Sequence, residues 1–248
     1  MLEEPSPPAA EESQPDLAPG SVPWRARDIV FGILAGFGGA IVFFVLYGIV
    51  LGIADSDPLS QIGEFVFASV VMYGFLLLGV WNFAIRRNDA RFRDAGFANL
   101  AWGSVALMLP VTFGVIFANL LVQEGIQAAF GEIRTASDQL GVGEGGIDAA
   151  EAGLLLITTS VAAPVVEEFV FRGLLYRYLR ARRGIPTAMV VSAALFSLGH
   201  FIPLLMPSLF LLGLALAWVA QRYDSLYPAI ALHAFFNAIA TIALASAT

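Results

Sequence analysis

Six polar side chains in the C-terminal part of an otherwise apolar chain have the types and spacing to support hydrolysis. Glu167 and Glu168 are adjacent, and Arg172 follows four residues after the second, within P-V-V-E-E-F-V-F-R-G-L-L-Y, a run apolar enough to cross a bilayer. An ionisable group at the centre of a membrane helix costs ~2.5–3.5 kcal/mol by insertion scales, so three within six residues point to a functional site. On a helix Glu168 and Arg172 share a face and can pair, whereas Glu167 is rotated about 100° away. Glu168 can thus be held ionised while Glu167 meets a different environment, the usual starting point for acid–base chemistry. The competing reading is structural, with Arg172 snorkelling toward the Arg cluster about 7 Å further along the helix.

The chain has two histidines, and both belong to the same region: His200 closes F-S-L-G-H, and His233 opens H-A-F-F-N, with Asn237 one turn on. Each is read as lying in an apolar helix. A lone intramembrane His is ordinarily a packing residue, and a lone Asn ordinarily bonds between helices. That reading weakens when both histidines and the glutamate pair fall on three different apolar segments. Counting along each helix from its Arg-rich end puts Glu167 about 15 Å deep, His233 about 10 Å, Asn237 about 16 Å and His200 about 20 Å, so the groups converge on one half of the membrane. A carboxylate with a His can deprotonate a trapped water, while a second His and an Asn amide can donate to the oxyanion of a tetrahedral intermediate. The same Glu and His atoms could hold zinc with a bound water, with Glu167, His200 and His233 as the candidate ligands. No H-E-x-x-H, G-x-S-x-G, Walker or G-x-G-x-x-G pattern accompanies them.

The elements that must position these groups are membrane helices. Of 248 residues 58% are hydrophobic and 13% charged, against about 45–50% and 25% in a soluble domain. All thirteen basic residues are Arg, and Cys is absent, which excludes disulfides and thiolate metal sites. The net charge of −7 argues against nucleic-acid binding. The expected fold class is an all-α polytopic membrane protein, a bundle of about seven to eight transmembrane helices.

Residues 1–23 are rich in Pro, Ala and Glu and read as a disordered acidic tail, and residues 24–248 read as the membrane domain with a catalytic core at 152–245. Spans are expected over about Asp28 to Ala54, Phe65 to Ile85, Trp102 to Gln123, Ala152 to Tyr176, Pro186 to His200, Ser208 to Ala220 and Leu226 to Ala245. A short amphipathic helix is expected around Gly125 to Phe130. Pro164, three residues before Glu167, should kink or open the fourth span just above the site. Arg86, Arg87, Arg91 and Arg93 form one basic loop, and Arg177, Arg180, Arg182 and Arg183 another. The positive-inside rule makes both cytoplasmic, together with the N-terminus, and puts the acidic loop from Glu124 to Ala150 outside.

E-E-F-V-F-R at Glu167 to Arg172, F-S-L-G-H at Phe196 to His200 and H-A-F-F-N at His233 to Asn237, in that order and spacing, resemble the three motifs of the CPBP intramembrane protease family. That family contains the type II CAAX prenyl endopeptidases, the bacteriocin-processing and self-immunity proteins, and the Abi proteins. The resemblance covers roughly Ala152 to Ala245. It implies an eight-helix or similar bundle with a conical cavity, in which Glu167 and His200 activate a water, Glu168 and Arg172 support the geometry, and His233 with Asn237 form the oxyanion site.

The resemblance further implies an integral protein of a prokaryotic cell membrane, in contact with lipid, that cleaves a membrane-anchored protein or hydrophobic peptide, prenylated or bacteriocin-like. The family has been described both as metalloproteases and as metal-free glutamate-dependent proteases. The donor pair at His233 and Asn237 and the charge of Arg172 favour no cofactor over zinc. A non-catalytic scaffold or self-immunity protein is the alternative, and a small transporter a third reading without an inverted repeat to support it.

Overall fold

The computed structural model describes residues 21–54, 59–98, 100–131 and 147–246. The expected tail up to residue 20, the acidic residues Asp55 and Asp57, and residues 132–146 of the expected acidic loop lie outside the described residues. Among the described residues every regular element is helical, and six helices are long and apolar enough to cross a membrane. They are α1 (Ala26–Ala54), α2 (Gln61–Val80, continued by a π turn at Trp81–Ile85), α3 (Trp102–Phe130), α4 (Ala149–Arg183), α6 (Met206–Tyr223) and α7 (Leu226–Ser246). Between α4 and α6 lies α5 (Ile185–Leu198), apolar but only 14 residues long.

The all-α polytopic fold agrees with the sequence reading, and three local expectations are corrected. Residues 125–130 form no separate amphipathic helix, because α3 runs unbroken to Phe130 with Pro110 inside it. The fourth span is longer than the apolar run predicts, since the Arg-rich stretch Arg177–Arg183 stays helical. His200 is not inside a helix: α5 ends at Leu198, and Phe201 takes the left-handed conformation, with φ of 55°. That backbone is rare for a residue with a Cβ and stops the helix outright.

Helices α1 and α2 cross at close range because small residues let them. A Cβ added at Gly36 would sit 2.6 Å from the Leu76 Cα, closer than real atoms allow. In lipid, where apolar surface gains little by leaving the solvent, such backbone approach supplies the packing energy. The pair is tied to α4 by Trp24, which is fully buried and donates its indole N–H to the Leu174 carbonyl at 3.1 Å. On the outside, Phe31, Leu34, Ile41, Phe113, Phe117 and Leu120 are exposed, as a lipid-facing surface requires.

The charged loops segregate by end. At one end Arg177 and Arg180 reach the Asp224 carboxylate at 3.1 and 3.3 Å, and the α6–α7 turn bonds back to the Arg-rich α2–α3 loop through Leu226 N–H to Gly96 O at 2.9 Å. At the other end Ser60, before α2, donates to Glu151 of α4 at 2.5 Å.

Candidate active site

The local structure of α4 places the glutamates. Pro164 has no N–H, and over Thr158–Ala162 the helix loosens to π geometry, with the Ala163 N–H reaching back to the Thr158 carbonyl. Thr159 O thereby loses its i+4 donor to Thr158, and its i+5 partner is the proline. The opening expected from Pro164 is present. The orphaned carbonyl is taken by α7: Asn237 Nδ2 donates to Thr159 O at 2.7 Å. Thr159 Oγ1 also lies 3.0 Å from Thr241 Oγ1 of the same helix. A second π stretch, Phe169–Tyr176, follows the glutamates and contains Arg172.

Glu168 and Arg172 form the pair their spacing predicts, and both are fully buried. Arg172 Nη1 donates to Glu168 Oε1 at 2.8 Å, Nη2 donates to the Gly213 carbonyl of α6 at 3.0 Å, and the guanidinium lies 4.5 Å from the Phe196 ring centroid. With those partners the Arg172 head does not snorkel. Glu168 Oε1 also receives His233 Nδ1 at 2.9 Å. One carboxylate thus fixes a helix α4 cation and a helix α7 imidazole at once.

Glu167 faces the other way, into a cavity of about 260 Å³ lined by Tyr73, Thr159, His200, His233, Asn237 and Thr241 among others. Its Oε1 accepts from the Tyr73 hydroxyl of α2 at 2.6 Å, and its Oε2 has no protein partner. Oε2 lies 3.9 Å from Nε2 of His200 and 3.9 Å from Nε2 of His233. That distance is too long for a direct hydrogen bond and is one that a water about 2.8 Å from each atom can span.

The ring tautomers follow from the partners. His200 Nδ1 is 2.8 Å from the Phe196 carbonyl, which can only accept, so Nδ1 carries the proton. His233 Nδ1 likewise donates to the Arg172-bound carboxylate of Glu168. In each neutral ring the Nε2 lone pair is therefore the free one, and it faces Glu167. Phe196, fully buried, meets both imidazoles edge-on, with centroids 4.7 Å from His200 and 5.7 Å from His233.

The structure thus brings Glu167, His200, His233 and Asn237 to one cavity, with Glu168 and Arg172 in the protein behind it. Tyr73 was not singled out in the sequence. Its one signal is a phenol in mid-span, V-M-Y-G-F, whose hydroxyl needs a partner inside the membrane.

Zinc held tetrahedrally at about 2.0–2.2 Å sets its ligands about 3.3–3.6 Å apart. Both Glu167–His separations are wider, and among the described residues no group of three His, Cys, Asp or Glu side chains is placed to hold a metal ion. The donor set as arranged does not fit the ion.

No curated protein and no solved structure matches the chain significantly. Residues 149–239 match the sequence model of the family described as type II CAAX prenyl endopeptidase, Rce1-like. The matched stretch contains Glu167, Glu168, Arg172, His200, His233 and Asn237; Tyr73 and Thr241 lie outside it. The chain is a multi-pass membrane protein whose residues 149–239, with all three sequence motifs, are similar to the Rce1-like family of type II CAAX prenyl endopeptidases.

Proposed function

We propose that the protein is an intramembrane endopeptidase in which a water held by Glu167 and His200 attacks the scissile carbonyl without a metal. The observation that carries this reading is Glu167 Oε2, buried, without a protein partner, and 3.9 Å from the free Nε2 of both histidines. Glu167 takes a proton from the water as its oxygen bonds to the carbonyl carbon. The C–N bond then breaks, and the proton passes to the departing amine. His200 holds the water's second hydrogen.

Asn237 Nδ2 has two hydrogens, and the one not given to Thr159 O serves the oxyanion. His233, held at Nδ1 by Glu168, presents its Nε2 edge to the same side of the cavity. Glu168 and Arg172 act by holding His233 and α4 in place.

The substrate class proposed is a membrane-anchored protein or hydrophobic peptide cut near its C-terminus. An apolar cavity of about 440 Å³ beside the site, between α2, α4 and the α2–α3 loop, is lined by Leu77, Trp81, Phe92, Phe97, Val165 and Phe169 and suits a hydrocarbon chain. The Arg-rich end is taken as cytoplasmic. Incubating the purified protein with a tagged membrane-peptide library tests the proposal: wild type should release fragments and Glu167→Ala should not. Equal cleavage by both would defeat it.

A further inference from the structure

Tyr73 belongs to α2, outside the matched segment, yet its hydroxyl makes the shortest side-chain contact to the carboxylate at the centre of the site, 2.6 Å to Glu167 Oε1. The two residues are 94 positions apart, so helix packing alone brings them together. A carboxylate on a free side chain turns about its last bond and offers either oxygen. Once one oxygen is held, the plane is fixed and the other oxygen has one direction. Here that direction is toward the two imidazole Nε2 atoms, each 3.9 Å away.

The remaining groups around Glu167 do not supply this restraint. Glu168 and Arg172 lie about 100° further round α4 and bond to each other. His200 and His233 reach only Oε2, and neither is within direct hydrogen-bond distance of it. The other polar cavity-lining groups of α4 and α7, Thr159, Asn237 and Thr241, bond between those two helices. Among the described residues Tyr73 is the side chain that grips Oε1.

We propose that Tyr73 is a positioning residue for the hydrolysis. By holding Glu167 Oε1 it fixes the carboxylate plane, so that Oε2 alone is presented to the water shared with His200. The inference rests on the water-activating reading of Glu167. It adds a requirement for a residue on α2, and so makes the α1–α2 pair part of the active machinery rather than a generic membrane scaffold. Misplacement of a reacting group by about 1 Å costs on the order of a hundredfold in rate. Tyr73→Phe keeps the ring and its packing and removes only the grip.

The experiment has a binding-independent arm and a kinetic arm, both on the full chain in detergent or nanodiscs. In the first, infrared difference spectra of wild type minus Glu167→Gln identify the carboxylate stretch of Glu167, and Tyr73→Phe should move that band. An unmoved band overturns the proposal whatever the substrate. In the second, cleavage of a quenched-fluorescence peptide ending in a farnesylated CAAX sequence is followed.

Tyr73→Phe should lower kcat ten- to a hundredfold with KM within twofold, in protein that still melts cooperatively. In a Glu167→Gln background the same substitution should cause no further loss. An undiminished kcat, or a loss that multiplies with that of Glu167→Gln, overturns the positioning role. Full activity of Glu167→Gln itself would instead remove the underlying reading of Glu167, which separates the two failures.

Discussion

Asn237 donates its side-chain amide to the carbonyl of Thr159 at 2.7 Å, and that carbonyl lies on the turn of α4 where the backbone has no donor to offer. The hydrogen bond makes the opened turn above the glutamates affordable and locks α7 to α4 beside His233. A polar acceptor left unsatisfied in a buried setting costs about 1–3 kcal/mol. Asn237→Ala should therefore lower the thermal stability of the purified protein as well as its rate. A residue serving only an oxyanion would lower the rate at unchanged stability, and differential scanning fluorimetry beside the peptide assay distinguishes the two.

The buried pair of Glu168 and Arg172 predicts a different pattern. Removing one partner leaves the other charge uncompensated inside the membrane, and breaking such a pair typically costs about 3–5 kcal/mol. Arg172→Ala and Glu168→Gln should both express poorly and melt early. Glu168→Gln should be the more damaging to catalysis in whatever folds, because it also weakens the acceptor for His233 Nδ1. Wild-type yield and melting temperature in both variants would contradict the pairing.

Glu167→Gln should behave in the opposite way. The Gln amide can still accept from Tyr73 and keeps the volume of the side chain, so folding should be close to normal. Loss of the base should reduce the rate by about 10²–10⁴. A rate within threefold of wild type in the peptide assay would take the base assignment away from Glu167.

Much of this site was legible because it depends on spacing along single helices. The four-residue step from Glu168 to Arg172 predicted their pairing, and Pro164 predicted the loosened turn; both are set by local geometry. Depth counting brought the histidines and Glu167 to one half of the membrane, although His200 sits in the turn after α5 rather than within it, where Gly199 and the left-handed Phe201 end the helix. What escaped depends on which helix faces which. Tyr73 is one aromatic among many in an apolar span, and only the packing of α2 against α4 brings its hydroxyl to Glu167. The engagement of Asn237 with Thr159 escaped for a related reason, since it requires knowing which carbonyl the π turn leaves bare. Arg172 stays buried because Gly213 O and the Phe196 face, both contributed from outside α4, complete its surroundings.

Orientation in the bilayer can be tested apart from chemistry. The loop holding Arg86, Arg87, Arg91 and Arg93 meets the Arg177–Arg183 end of α4, while Ser60 and Glu151 meet at the far end. Reporter fusions at Asn88 and Asp148 should consequently show opposite sidedness, with Asn88 cytoplasmic under the positive-inside rule. The same sidedness at both positions would contradict the antiparallel course of α3.

Metal dependence is the sharpest division between mechanisms open to this set of residues. Each histidine has its Nδ1 proton held by an acceptor, Phe196 O or Glu168, and offers Nε2 to the cavity, an orientation that would also serve a ligand. The separations favour the metal-free proposal: at 3.9 Å from Glu167 Oε2, each Nε2 lies outside the ligand spacing of a zinc shell and at a distance one water can bridge. The Arg172 cation, paired to the adjacent carboxylate, further disfavours a divalent charge nearby. Purified active protein should therefore contain substoichiometric zinc by elemental analysis and keep its activity after treatment with a strong chelator. Stoichiometric zinc that disappears in His200→Ala, together with activity restored to the chelated protein by zinc alone, would replace the free water with a metal-bound one and reassign Glu167, His200 and His233 as its ligands.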